Sequence, residues 1–461
     1  MKHAIALLVA PALLASACTE VAIPVGTRTD GDYVRVVDVP PIIQRDLDLL
    51  FVVDNTDTME NRQRELDYSF RKLVSHLEFA EGGMPDLHIG VVSTDLGAGG
   101  YPVPGCGVIG DAGALQSAPR GIACDGPSDA FLRDYASGGG LRDTNYTEAS
   151  LADAFSCISR LGTDGCAFEQ PLEAMKLALD GYTAENQGFL RPGAALGLVI
   201  LTDEDDCSVY DNQLFDPMLD GSGSVEKFRC FRHGVVCGGD DVRLEGEYTG
   251  CEPKRDSDYL ADVAGYARFV DQLKFDPEQV VVTGMIGDSS LVEVQVDLDD
   301  RPQLVPACTD ESGGAAYPAV RLQHFLDSTA QGGQVSSLCG DKPLDALGAT
   351  ARRLRKVLGT RCLDGDLVDV DPETAGLQFD CRVYDLAPDG STDDLPACTD
   401  PYDPERSEVV PCYAIKTGPA ECGDFRPHQL ALQVWRGAWD APQPTGTHTI
   451  GECLVASPDR Q

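Results

Sequence analysis

Asp54, Thr56 and Thr58 stand on alternate residues just after the continuous apolar run at residues 49–53. One carboxylate and two hydroxyls on a short turn offer a charge and neutral oxygens to a single hard cation. Magnesium takes near-octahedral oxygen ligands, and calcium takes more of them in looser geometry. No cysteine or histidine lies nearby, which disfavours zinc. A second carboxylate, Asp203, closes another apolar run at residues 196–201, and a further hydroxyl, Thr163, sits in the Gly162-Thr163 turn ahead of Leu172, Met175 and Leu179. Each has a local alternative. Asp57 or Thr58 caps a helix, with Glu60 completing a capping box, and Thr163 is an N-cap. Asp205 and Asp206 are expected to start a helix.

The elements that must position these groups follow from hydrophobic pattern. A short unbroken apolar run is a strand buried on both faces, whereas Leu66, Phe70, Leu73 and Leu77 recur at helical spacing. The acidic loop therefore lies where a parallel strand hands over to a helix, the place where open α/β sheets bind ligands. Further strands are expected at 87–93, 280–286 and 335–338. Helices are expected through Val263, Tyr266 and Val270, and through Leu347, Ala351, Leu354 and Leu358. His88 alternates with apolar neighbours and is expected to be packed, not a ligand. The expected fold is an α/β, doubly wound, mostly parallel sheet over residues 46–360 with loop insertions at 97–145 and 206–258. A small disulfide-rich β domain is expected at 361–461.

In this order and at these strand ends, Asp54, Thr56, Thr58, Thr163 and Asp203 resemble the metal-ion-dependent adhesion site of the von Willebrand factor A domain, in its bacterial cell-envelope form. The resemblance implies a bound Mg2+, or Mn2+ or Ca2+, held by those side chains. It also implies an open coordination position that takes a carboxylate from a protein ligand, and adhesion without enzymatic activity. Both family serines are threonine here, and Asp57 stands where bacterial members often have glycine. Extra residues separate Thr163 from the following helix. A more literal match, Asp220-Gly221-Ser222-Gly223-Ser224, follows no apolar strand and is expected to be a Gly/Ser turn. The alternatives are a metal-free structural scaffold of the cell envelope and a secreted hydrolase, although neither a Gly-x-Ser-x-Gly elbow nor a His-Glu-x-x-His helix occurs.

Composition sets the compartment. A formal net charge of -39 over 461 residues makes nucleic acid an improbable partner. Lys2 and His3 precede an apolar stretch that ends in Ala15-Ser16-Ala17-Cys18, which reads as a lipoprotein signal peptide over 1–17. Cys18 would then be acylated, giving a membrane contact through lipid and an outer-membrane location, with residues 18–45 as a tether. Of the 17 cysteines, 16 remain after Cys18, an even number that suits an oxidising compartment. Neighbours in sequence are the expected pairs, Cys106 with Cys124 and Cys157 with Cys166.

Overall fold

The computed structural model describes residues 33–39 and 45–455, apart from residues 81–82, 121, 138–140, 220–225, 239, 242–244, 275–276, 299–300, 311–312, 339–345, 359–361, 364–366, 372, 374–377, 388, 401–402, 418–429 and 438–446. Cys18, the 1–17 signal segment and the Asp220 to Ser224 motif lie outside the described residues.

Tyr33–Val39 (β1), within the span read as a tether, pairs antiparallel with His448–Val455 near the other end of the chain. The central sheet then takes Asp46–Val53 (β2), Asp86–Ser93 (β3), Leu132–Ala136 (β4), Arg142–Thr144 (β5), Ala195–Leu201 (β6), Val280–Ile286 (β7) and Gln334–Ser337 (β8). Its seven strands lie in the order β8-β7-β6-β2-β3-β4-β5. From β8 to β3 all neighbours are parallel, but β4 is antiparallel to β3 and β5 to β4. The expected doubly wound, mostly parallel architecture is thereby corrected to a mixed sheet accompanied by several small antiparallel ones. The cause lies between β3 and β4. A parallel return needs a crossover, usually a helix, and the described residues of 94–131 contain none.

The main strands are buried on both faces because their side chains alternate between two apolar cores. Leu47, Leu49, Phe51 and Val53 of β2 pack with Glu60–Leu77 (α1), Leu151–Ser159 (α2) and Ala346–Leu358 (α7), while Leu50 and Val52 face Pro171–Leu179 (α3), Val263–Asp271 (α5) and Val320–Ser328 (α6); Glu226–Gly234 (α4) packs elsewhere, through Phe228 and Phe231 against Val292 and Val294. On the first face Phe70 stacks on Phe155 at 3.8 Å between ring centroids, and Phe51 meets both. A Cβ on Gly197 in β6 would stand 2.6 Å from Leu49 Cδ2, so any side chain there would have to displace that methyl. Burying each such large apolar side chain contributes about 1.5–3 kcal/mol.

Asp205 and Asp206 start no helix of their own; they serve the N-termini of two distant ones. Asp205 accepts from the backbone of Arg321 and Leu322 in α6, and Asp206 Oδ1 accepts from Leu172 N in α3. Asp206 Oδ2 pairs with the fully buried Arg321 at 2.9 Å. Helix N-termini favour negative charge, so these carboxylates fix both helices against the end of β6. In the C-terminal part, Cys381–Leu386 and Thr392–Leu395 join the β1 sheet, while Cys362–Leu363, Cys412–Thr417 and Leu430–Trp435 form another. In Leu430–Trp435 the alternation of Leu430, Leu432 and Val434 with Ala431, Gln433 and Trp435 has the period of a half-buried strand, yet the strand is buried along nearly its whole length, with Leu432 in one core and Trp435 beside Cys398 and Cys412 in a second.

His88 is indeed packed. Its Nδ1 meets Phe189 O at 2.7 Å, its Nε2 meets the Tyr135 hydroxyl, and burial pushes its pKa down to about 4. The folded state keeps this imidazole neutral, while the unfolded chain binds a proton below about pH 6.5. Its contribution to stability is therefore intact above about pH 6.5 and is lost as pH falls towards about 4. Urea unfolding across pH 4 to 7 should show His88→Asn with a shallower loss on acidification than wild type. Equal slopes would mean that His88 is already protonated in the fold.

Candidate functional site

The backbone ladder carries Asp54 to the sheet edge: its N–H donates to Leu201 O at 2.9 Å, one residue beyond the end of β2. Its carboxylate is then held from several sides. Oδ1 accepts from Thr56 N at 2.8 Å and from Thr56 Oγ1 at 2.7 Å, and Oδ2 accepts from Thr202 Oγ1 at 2.8 Å. Thr56 Oγ1 lies 3.5 Å from Thr58 Oγ1. Asp54 is fully buried, as Thr56 nearly is, whereas Asp57 and Thr58, next along the loop, are exposed.

Asp203 lies at the matching end of β6 and is buried, with Oδ1 lacking any hydrogen-bond partner. Burial first, and then the Asp54 charge, raise its pKa to about 6, while Lys227, the Thr58 hydroxyl and Arg62 pull the other way. Asp54 thus lies within electrostatic range of Asp203, and Thr56 bonds the first aspartate while the Thr58 hydroxyl acts on the second.

Thr163 is half-buried on a turn fastened to this loop. Gln63 Nε2 donates to Asp54 O at 3.0 Å and to Gly162 O at 2.9 Å, and Gly165 N donates to Asn55 O at 2.9 Å. The approach is close enough that a Cβ on Gly165 would sit 2.4 Å from Asn55 Oδ1. Gly162, at φ +81°, supplies the left-handed bend. None of the threonines is spent on a helix end. The N-cap of α1 is Met59 and that of α3 is Gln170, both without a side-chain cap bond.

Three side chains at this edge were not foreseen. Thr202 holds Asp54 Oδ2. Glu169 is 1% exposed, with Oε2 bonded to Thr94 Oγ1 and Oε1 unpartnered. Burial, then Asp54, and then Asp203 beyond the opposing Thr94 bond, raise its pKa well above the usual carboxylate range. Glu204 is buried and paired with Lys227. The sequence signal for Glu169 is weak, a single acid before Gln170-Pro171 where a helix opens.

The disulfides tie the rim together in a different pairing from the expected one. Cys106 bonds Cys166, with Cα atoms 4.3 Å apart, and Cys124 bonds Cys157, at 6.0 Å. Sequence neighbours do not pair because they belong to different cores. Cys157 and Cys124 pack with α1 and α2, whereas Cys166 and Cys106 pack with Phe168, Phe215 and Leu260.

No protein-family model matches the chain, and no curated protein does. Solved structures do match in outline. The pilus adhesin SpaC from Lactobacillus rhamnosus GG gives a TM-score of 0.33 at 12% identity, over 93% of this chain and 41% of that one. The PilB minor pilin from Streptococcus sanguinis gives 0.32 at 11% identity, over 68% and 62%. The pilus adhesin RrgA from Streptococcus pneumoniae gives 0.29 at 11% identity, over 93% and 59%. The chain thus spans less than two thirds of the length of each of these proteins, and TM-scores below 0.5 carry no inference about its role. The resemblance to the von Willebrand factor A domain is not upheld by any family model. What can be said of the site rests on its own geometry.

Non-reducing proteolysis with mass spectrometry should recover peptides joining Cys106 to Cys166 and Cys124 to Cys157. Recovery of Cys106 joined to Cys124 would reverse this pairing.

Proposed function

We propose that this edge of the central sheet is a divalent-cation site through which the protein binds a protein ligand, in an adhesive role outside the cytoplasm. One observation carries it: Asp54 and Asp203 are both buried within electrostatic range of each other, and Asp203 Oδ1 has no hydrogen-bond partner. Of the neighbouring buried acids, Asp206 is paired with Arg321 and Glu204 with Lys227, while Glu169 is held through one oxygen by Thr94. A cation supplies the missing charge. Asp54 and Asp203, with the hydroxyls of Thr56, Thr58 and Thr163, are an all-oxygen set suited to Mg2+, Mn2+ or Ca2+. A bound cation with a position left to water is a Lewis acid that takes a carboxylate from a partner. The metal-free scaffold reading needs the threonines as helix caps, and neither α1 nor α3 uses them so.

An oxidising, extracytoplasmic setting is supported by disulfides in several parts of the chain, among them Cys207 with Cys230, Cys237 with Cys251, Cys381 with Cys453 and Cys398 with Cys412. Anchoring at Cys18 belongs to the same proposal. A palmitate analogue should label the wild type in cells and not Cys18→Ser; equal labelling would remove the anchor.

The cation itself is tested by thermal unfolding at physiological salt, where attraction between exposed charges is screened and a compact site is screened less. Saturating metal at about a hundred times its dissociation constant should stabilise the wild type by about 2.7 kcal/mol. Asp54→Ala and Asp203→Ala should each lose most of that shift, and Asp220→Ala should keep it. If Asp54→Ala responds to magnesium, manganese and calcium as wild type does, the scaffold reading takes its place.

A further inference from the structure

The seam between the Asp54 loop and the Thr163 turn holds an acceptor that the fold leaves unused. Gly165 N donates to Asn55 O at 2.9 Å, which brings the two loops edge to edge. Asn55 is 4% exposed, and its side-chain oxygen Oδ1 is hydrogen-bonded to nothing. That oxygen lies against half-buried Gly165, where the place of a Cβ is only 2.4 Å from it. Asp164, next to this glycine, and Asp57, two residues beyond Asn55, are both exposed. An unmet acceptor is thus flanked by carboxylates on either loop. Burying an acceptor without a donor is costly, so the seam is suited to a donor brought from outside.

The charge around it has one sign. Residues 54–59, 94–98, 162–170, 202–206 and 287–291, at the C-terminal edge of the parallel strands, carry ten Asp or Glu and no Lys or Arg. The bases that reach this edge from elsewhere, Arg62, Lys227 and Arg321, are paired with Glu65 and Asp310, with Glu204 and with Asp206. Asp57, Asp164 and Asp288 are left facing solvent. A surface lined by one sign of charge steers oppositely charged partners towards it. The chain enters and leaves this domain at the other edge: β1 leads into the start of β2, and α7 descends from Thr350, which meets Thr283 in mid-β7, to Leu354, beside Gly197 near the start of β6. The acidic edge is the pole that faces away from both crossings. Its exposed acids are no metal cage. Among the described residues, the one group of three His, Cys, Asp or Glu side chains close enough for a common ion is Cys124, Glu148 and Cys157, and its two cysteines form a disulfide.

We propose that this seam receives an arginine side chain of a protein partner, with Asn55 Oδ1 and the Asp57 and Asp164 carboxylates as its acceptors, and that the acidic pole steers the partner there. A guanidinium is planar, carries five donors in a rigid fork and is hydrated more weakly than an ammonium, whereas lysine presents a compact, strongly hydrated point charge. The fork can bond an amide oxygen and a carboxylate together, and charge-assisted bonds of this kind are the stronger ones. No bound metal is needed. The proposal shares with the reading above only the edge at which a protein docks.

Fluorescence anisotropy of labelled nona-arginine and nona-lysine, titrated with the full chain at physiological salt in EDTA, tests this. Replacing Asp57, Asp164 and Asp288 together by Asn should weaken nona-arginine binding by about tenfold. Replacing Asp389, Asp393 and Asp394, three exposed acids of the C-terminal part, removes the same charge and should change it by less than about twofold. Asn55→Ala should cost nona-arginine about fivefold and nona-lysine less, so that the preference for arginine falls. If Asn55→Ala does not fold, Asp164→Lys, on the exposed rim of the same seam, carries the test, with the arginine preference again lost. Equal weakening by the two triple variants would mean diffuse attraction to a chain of net charge -39 and would end the proposal. An arginine preference that survives the seam variant would end it too, as would peptide binding that appears only with calcium or magnesium. Failure of the cation reading, seen as no stabilisation by metal, leaves these measurements in EDTA untouched.

Discussion

A carboxylate removed from water costs several kcal/mol unless positive charge or hydrogen-bond donors replace the solvent, and this constraint organises the edge of the central sheet. Asp54, Glu169, Asp203, Glu204 and Asp206 are all buried there. Their compensation is uneven. Asp206 has the buried guanidinium of Arg321 and the amide of Leu172, and Glu204 has Lys227. Asp205, beside them, has the first amides of α6. Asp54 and Glu169 are hydrogen-bonded by hydroxyls and amides, Lys227 and Arg62 act on Asp203 through space while paired elsewhere, and Asp203 and Glu169 each keep an oxygen without a hydrogen-bond partner. The edge thus divides into acids that hold the fold together and acids that lack a counter-charge of their own.

The loops around this centre are held by apolar packing as much as by polar bonds. Ala98, Cys166, Phe168, Cys207, Leu214, Phe215, Cys230 and Leu260 form one buried cluster drawn from several separate segments. Two disulfides, Cys106 with Cys166 and Cys207 with Cys230, close it covalently. Gly/Pro-rich loops have much conformational entropy to lose, and a cross-link removes part of it from the unfolded ensemble. The Thr163 turn is thereby set against the Asp54 loop before any ligand arrives, which is what a preorganised site requires.

What the sequence makes legible is what a local pattern specifies. The apolar run at 49–53 forms β2, and Leu66, Phe70, Leu73 and Leu77 are all buried on α1, because period and burial are read from neighbouring residues. Asp54 and Asp203 could be placed at one edge because each directly ends such a run. What escaped depends on distant partners. β4 and β5 are short strands, Leu132–Ala136 and Arg142–Thr144, inside a stretch whose glycines and prolines suggest only a loop, and they make the sheet mixed. Asp205 and Asp206 precede no helix but cap α6 and α3, far along the chain. The cysteine exchange has the same origin, since pairing is decided by which core each sulfur enters. The likeness to a known family failed in a related way: short motifs with threonine for serine say little about the chain between them.

The opposite end of the same sheet supplies an internal control. Asp48, also on β2 and also fully buried, accepts from Arg191 N at 2.7 Å and from Arg191 Nε at 2.8 Å, with Lys274 Nζ at 3.7 Å. Burial still raises its pKa, but the arginine and lysine charges oppose that rise directly. There the chain provides its own cations for a structural aspartate, and Lys274 and Arg191 are themselves tied down, the lysine donating to Arg191 O at 2.6 Å. At the Asp54 end, one residue past the same strand, the bases within range of Asp203 are Lys227 and Arg62, and both are paired with other acids, Glu204 for the lysine and Glu65 and Asp310 for the arginine. Packing alone does not account for that difference, since both ends enclose comparably buried aspartates. The asymmetry is one of direct pairing: Asp48 has an arginine bonded to its own carboxylate, whereas Asp54 is held by hydroxyls and an amide, and that difference is the ground on which the proposed cation stands.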